Sequence, residues 1–201
     1  MAPAYGFYGK VPCLGDFVRR GLSQAFVEDW DVWMQELLLI GQTAIGDRWQ
    51  DCYMSAPIWR FTLAAGLCGP RTAAGVMMPS VDRVGRRFPI CIAFETDAPV
   101  WPAHLALQSV VEPLEDTALR MLDDSTNLPG LEKDLKALPP PPSVLTAETQ
   151  SGPDMPGSLW IAVVEGTPRS FFADGMPADP TLANALFDLN DNHWREHAHA
   201  T

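Results

Sequence analysis

Three apolar segments, 57-PIWRFTLAAG-66, 73-AAGVMMPSV-81 and 88-FPICIAFET-96, follow one another closely along residues 57–96. In the first, Trp59, Phe61 and Leu63 alternate with Ile58, Arg60 and Thr62, the period of a strand with one clearly apolar face. The links between the segments, 66-GLCGPRTA-73 and 82-DRVGRR-87, are short and rich in turn formers. A parallel crossover needs a dozen or more residues, so these links require antiparallel neighbours. The stretch is a three-stranded meander, and DRVGRR is one of its tips.

The elements outside the meander read as follows. Residues 5-YGFYGKV-11 are a short aromatic strand, and PCLGDF after them is a turn favoured by Pro12, Gly15 and Asp16. Ser23 is placed to cap a helix over 24–45, about 33 Å long. Phe26, Trp30, Trp33, Met34, Leu37, Leu38 and Ile45 line one face of it, so Trp30 and Trp33 are core residues. Residues 47–54 are a short second helix or an irregular segment, and 101–124 are helical with a break near Glu112, Pro113 starting the next turn. A short helix over 128–138 precedes a proline-rich surface loop, 139–157. Strands 158-SLWIAVV-164 and 168-PRSFFA-173 form a second hairpin turned by EGTP, and 179–189 is a closing helix. The expected fold class is a single α+β domain over 1–201. Its mainly antiparallel sheet, the meander 57–96 plus the hairpin 158–173, is covered by helices, and the tail 191–201 is expected to be disordered.

Composition excludes several function classes. The chain of 201 residues is 47% hydrophobic and carries a formal net charge of −11. That charge opposes nucleic-acid binding and anionic membrane surfaces. No apolar run reaches the ~20 residues of a membrane span, and no signal peptide is read, so a cytoplasmic location is expected. Cys13, Cys52, Cys68 and Cys91 form no CxxC pair, which fits reduced, mostly buried thiols rather than a zinc site. His193, His197 and His199 lie in the C-terminal tail, where a solvated, frayed end explains them better than a metal site. His104 is isolated in sequence and expected on a helix surface or lip.

Against this acidic background, Arg83, Arg86 and Arg87 crowd into five residues around Gly85. Their guanidinium groups match carboxylate or phosphate, Gly85 permits a positive φ at the tip, and Asp82 can bond nearby amides to hold the turn. An internal pair of Asp82 or Asp16 with an arginine is the purely structural alternative, favoured for Arg83 over the other two. Arg86 and Arg87 are adjacent and should diverge on a strand, at least one reaching solvent. One or both are expected to face a partner, and replacing both with glutamate is expected to leave the fold intact.

Enzyme chemistry has little support. There is no GxSxG elbow, no GxxxxGK[ST] phosphate loop, no GxGxxG after a strand and no HExxH, so no cofactor or metal is expected. Ser80 stands near Asp82 but lacks a histidine close in sequence. A binding protein is one of three classes that remain. A small-anion or nucleotide sensor at Arg83, Arg86 and Arg87, and a hydrolase around Ser80 and Asp82, are the alternatives.

Three runs carry a family resemblance: YGKVPCLGDFVRRGLSQAFVEDWDVWMQ, APIWRFTLAAG and GVMMPSVDRVGRRFPI. They resemble the TagF (ImpM) family of proteins associated with the type VI secretion system. The steps Gly9-Lys10-Val11-Pro12, Gly15-Asp16-Phe17, Arg20-Gly21, Trp30-Asp31 and Trp33 are similar to the family's opening signature. Trp59-Arg60-Phe61, then Pro79 to Arg86, then Ser158-Leu159-Trp160 continue it in order. Ile161 after Trp160, where the family often doubles the tryptophan, and Ser23, where a proline is common, are mild departures. The resemblance implies a cytoplasmic post-translational repressor of secretion, acting against or beside a threonine-phosphorylation switch. It also implies a forkhead-associated scaffold as partner. It supplies no catalytic residues. On this reading Arg83, Arg86, Arg87, Arg19 and Arg20 are the candidate partner contacts. Gly15, Asp16, Trp30, Trp33, Trp59, Ser80, Asp82 and Gly85 are the structural motif.

Overall fold

The computed structural model describes residues 5–123, 125, 127–141, 157–191 and 195–196. Strands β1 (Gly6–Gly9) and β2 (Val18–Arg20) precede a long helix α1 (Gln24–Ile45). A 3-10 turn, Gly46–Arg48, leads into α2 (Trp49–Ser55). The meander follows as β3 (Trp59–Leu63), β4 (Thr72–Met78) and β5 (Ile90–Thr96). Next come α3 (Val100–Gln108), α4 (Val111–Arg120) and α5 (Leu128–Ala137). Strands β6 (Ser158–Val164) and β7 (Thr167–Ala173), helix α6 (Pro180–Phe187) and the two-residue β8 (Arg195–Glu196) complete the described chain. The strands form one sheet in the order β2-β1-β5-β4-β3-β6-β7-β8, and every neighbouring pair is antiparallel.

The meander is the centre of this sheet, as the short links require, with Trp59 opposite Met77 and Met77 opposite Cys91. The second hairpin adds to its β3 edge, Phe61 facing Trp160. Its two-residue turn holds Glu165 at φ 50° and Gly166 at φ 80°, the doubly left-handed geometry whose twist suits a tight hairpin. The first hairpin adds to β5 through β1. Strand β2 was not foreseen. It is three residues long and bracketed by turn formers, so its own periodicity carries no signal.

Strand alternation sends side chains into two cores, one on each face of the sheet. One face packs Phe61, Met77, Cys91 and Trp160 against Trp30, Trp33, Met34, Leu37, Tyr53 and Phe187 from α1, α2 and α6. The other packs Phe7, Val76, Ile92 and Phe94 against Leu107, Leu114, Leu131 and Leu135 from α3, α4 and α5. The sheet is thus the middle layer of an α+β domain, covered by helices on both faces.

Helix α1 has the predicted bounds. Its cap is Ser23, whose Oγ accepts from the Phe26 amide at 3.1 Å while the Ser23 amide and hydroxyl donate to Glu95 of β5. The break in the next helical stretch falls at Ser109–Val110, two to three residues earlier than expected. Pro113 sits in the first turn of α4, where its missing N–H costs no intrahelical bond. His104 is buried, contrary to expectation. It faces β3, with Nδ1 3.3 Å from the Thr62 hydroxyl and Nε2 3.3 Å from Gln108 Nε2. Burial, then the Arg60 charge, lower its pKa. Cys52, Cys68 and Cys91 are buried and Cys13 half-buried. Most of the 139–157 loop, and His193, His197 and His199, lie outside the described residues.

The tryptophan expectation holds. Trp30 and Trp33 are buried and in edge contact at 4.9 Å between centroids. Trp33 Nε1 donates to the Pro177 carbonyl at 2.6 Å, tying α1 to the segment before α6. Trp33→Ala should therefore destabilise the fold by about 3–5 kcal/mol, a melting point roughly 6–20 °C lower. An unshifted thermal melt would contradict this packing.

Candidate functional site

At one end of the sheet two tips lie side by side. One is the β1–β2 connection, residues 10–17, and the other is the β4–β5 connection, residues 79–89. They are zipped together by the Arg83 amide donating to the Leu14 carbonyl (2.8 Å) and the Ser80 hydroxyl donating to the Lys10 carbonyl (2.7 Å). Arg86 Nη2 also donates to the Gly15 carbonyl (2.5 Å). Gly9, at φ 142°, lets β1 pass directly over Pro89 and Ile90, where a Cβ would strike backbone.

Asp82 is the centre of this arrangement, its side chain fully buried. Oδ1 accepts from the amides of Val84 (3.0 Å) and Arg86 (2.9 Å). Oδ2 accepts from Arg86 Nε (2.6 Å) and the Lys10 ammonium (3.0 Å). Gly85, at φ 84°, donates its amide to the Asp82 carbonyl and closes the turn. Desolvation alone would raise the carboxyl pKa. The Arg86 amide, Lys10, the Arg86 guanidinium and the Val84 amide outweigh it and hold Asp82 well below the ordinary carboxylate range.

Tyr53 of α2 braces the same tip. Its hydroxyl donates to the Ser80 carbonyl (2.8 Å) and accepts from the Ser80 amide (3.1 Å). Lys10 is 7% exposed and stands 5.0 Å from the centre of the Phe17 ring. Phe17 stacks on Tyr8 (5.6 Å, 9°) and meets the edge of Phe88 (4.8 Å), yet stays 41% exposed.

The candidate arginines separate into two groups. Arg86 is the internal partner of Asp82, although the sequence favoured Arg83 for that part. The expectation that Arg86→Glu/Arg87→Glu breaks no buried pair is overturned, since Asp82 would face a glutamate. Arg20 is engaged with Glu132 of α5 at 2.5 Å and with the Arg19 carbonyl. Arg19 and Arg83 are exposed and Arg87 is half-exposed. None of these three is in an ion pair among the described residues. Arg87 lies close enough to Tyr53 for its charge to act on the hydroxyl. Among the described residues Asp16 accepts from the Phe17 amide (2.8 Å) and is not paired with Arg83.

Sequence reasoning missed Lys10 and Tyr53. Lys10 shares the strand parity of Tyr8, which was the available signal for an inward-pointing ammonium. For Tyr53 there was none, because its contact with Ser80 is made only when α2 docks on the sheet. Ser80 and Asp82 are committed to internal bonds, and His104 sits on α3, facing Thr62 of β3. The structure does not bring Ser80, Asp82 and His104 together. No group of metal-ligating side chains occurs among the described residues.

Two comparisons place this fold among known proteins. Residues 6–138 match the model of the TagF N-terminal domain, type VI secretion system-associated, and the chain belongs to this family. It is also similar to the crystal structure of PA0076 from Pseudomonas aeruginosa PAO1. The two are 31% identical with a TM-score of 0.75, over 91% of this chain and 94% of that one. No curated protein matches the chain. Among the described residues no helix is long and apolar enough to cross a membrane.

Asp82→Asn should lower the melting temperature at pH 7 by on the order of 10 °C, since Lys10 and Arg86 then lose their shared counter-ion. The folded-state pKa is depressed, so the carboxylate's stabilisation is fully present above the unfolded value of about 3.8 and is lost as pH falls below it. The gap between wild type and variant should accordingly be constant from pH 5 to 7 and shrink below about pH 4. A gap that does not depend on pH would contradict the charge pairing.

Proposed function

We propose that the chain is a cytoplasmic, non-catalytic regulator that represses type VI secretion after translation by binding the forkhead-associated scaffold of the secretion machine. Family membership supports the secretion context. The observation that supports a binding role is the trio Arg19, Arg83 and Arg87, which has no carboxylate partner among the described residues of a chain of net charge −11. These cations sit on or beside tips that Asp82 makes rigid, so little side-chain and loop ordering remains to be done on association. Reversing them should chiefly slow encounter with an acidic surface.

The two alternatives lack comparable support. A hydrolase would need Ser80 available as a nucleophile, but its hydroxyl is buried and donates to Lys10. A small-anion sensor at Arg83, Arg86 and Arg87 would need three free guanidinium groups, and Arg86 is occupied.

Deleting the protein should raise the amount of secreted tube protein, and overproducing it should suppress secretion. Arg83→Glu/Arg87→Glu should keep the wild-type melt, lose the scaffold in a pull-down and fail to repress. Unchanged secretion under both deletion and overproduction would overturn the repressor reading.

A further inference from the structure

We infer that the element recognised at the two tips is a segment of several carboxylates with a large apolar side chain among them. This inference rests on the reading above that the tips meet a protein partner. It adds the chemistry of the recognised segment, which neither the family description nor the related crystal structure states.

The cations available to a partner stand at separate backbone positions. Arg19 lies on β2, Arg83 next to Asp82 where the 79–89 tip meets Leu14, and Arg87 opposite Val81 across that tip. One converging set of donors at this end, Lys10 with Arg86 and two backbone amides, is already filled by the Asp82 carboxylate. A single phosphate is held best by donors that converge on it. Guanidinium groups on separate stretches of backbone instead match charges distributed along a chain, and carboxylates on successive residues provide that.

Two exposed apolar groups lie among these cations. Val84 is 69% exposed at the apex of the turn, its amide fixed by Asp82. Phe17 is 41% exposed, its ring held by Tyr8 and Phe88. Phe17 and Arg19 are two apart along the chain entering β2, so their side chains share one face. Neither apolar group has to be ordered on binding. An apolar side chain of the partner laid on them leaves water together with surfaces already in place. Charge selects the segment, and the apolar contact lengthens its stay.

Fluorescence anisotropy with synthetic twelve-residue peptides tests this. One is glutamate-rich with a central Leu-Phe, the second has Ser-Ser at that place, and the third carries one phosphothreonine and no other acidic residue. The Leu-Phe peptide should bind tightest, by roughly tenfold or more over the Ser-Ser peptide, and weaken as salt rises. Arg83→Glu/Arg87→Glu should abolish binding. Val84→Ser, at the exposed apex, and Phe17→Ser should each remove most of the advantage of Leu-Phe over Ser-Ser. A thermal melt of each variant accompanies the binding curves, and Val84→Ser carries the test if Phe17→Ser loosens the tip. Equal affinity for the first two peptides would overturn the inference. So would tighter binding of the phosphothreonine peptide, no binding at all, or binding indifferent to the charge reversal. The assay has no secretion readout, so its failure is distinguishable from failure of the repressor reading.

Discussion

The Asp82 carboxylate, buried between the Lys10 ammonium and the Arg86 guanidinium, is the interaction on which this end of the molecule depends. A buried anion without partners would be strongly unfavourable, so its presence requires both cations to be drawn in. One cation comes from the β1–β2 connection and the other from its own turn. Satisfying a single charge therefore fixes the position of two tips 72 residues apart in sequence. The same residue sets the local backbone through the amides of Val84 and Arg86. Three further bonds, at Leu14, Gly15 and Lys10, follow once the tips are in place.

This division of labour gives the basic knot its meaning. Arg86 is engaged through Nε with Asp82 and through Nη2 with the Gly15 carbonyl, although 59% of its long side chain stays exposed. Arg83 and Arg87 are then displayed by a turn whose shape no longer depends on them. A charge change at those two positions alters the electrostatic field of the tip and leaves its geometry in place. A charge change at Arg86 alters both, so the two kinds of variant are not interchangeable as probes of binding.

Much of the fold was legible in sequence where a short-range pattern dictates it. The 3.6-residue period of Phe26, Trp30, Trp33 and Leu37 gave the bounds of α1, and short links gave the antiparallel meander. The Asp82–Gly85 turn was readable because its bonds are local. Elements with long-range causes were not. Strand β2 exists because β1 offers an edge, not because three residues prefer extension. The choice of Arg86 over Arg83 is set by the position of the Gly15 carbonyl and Lys10. His104 looked isolated because its partner Thr62 lies on β3, 42 residues earlier. The site was thus legible as a list of charged residues, and the fold alone decided which of them are structural.

The central claim is that Asp82 stays ionised because Lys10, Arg86 and two amides converge on it. Carbon-13 NMR of its carboxyl group, followed as pH is lowered through the range in which the chain stays folded, tests that claim most directly. The account predicts no titration of this carbon at pH values where ordinary aspartates, near 3.8, have taken up their proton. A midpoint at or above that value would mean that the charges do not hold the two tips together.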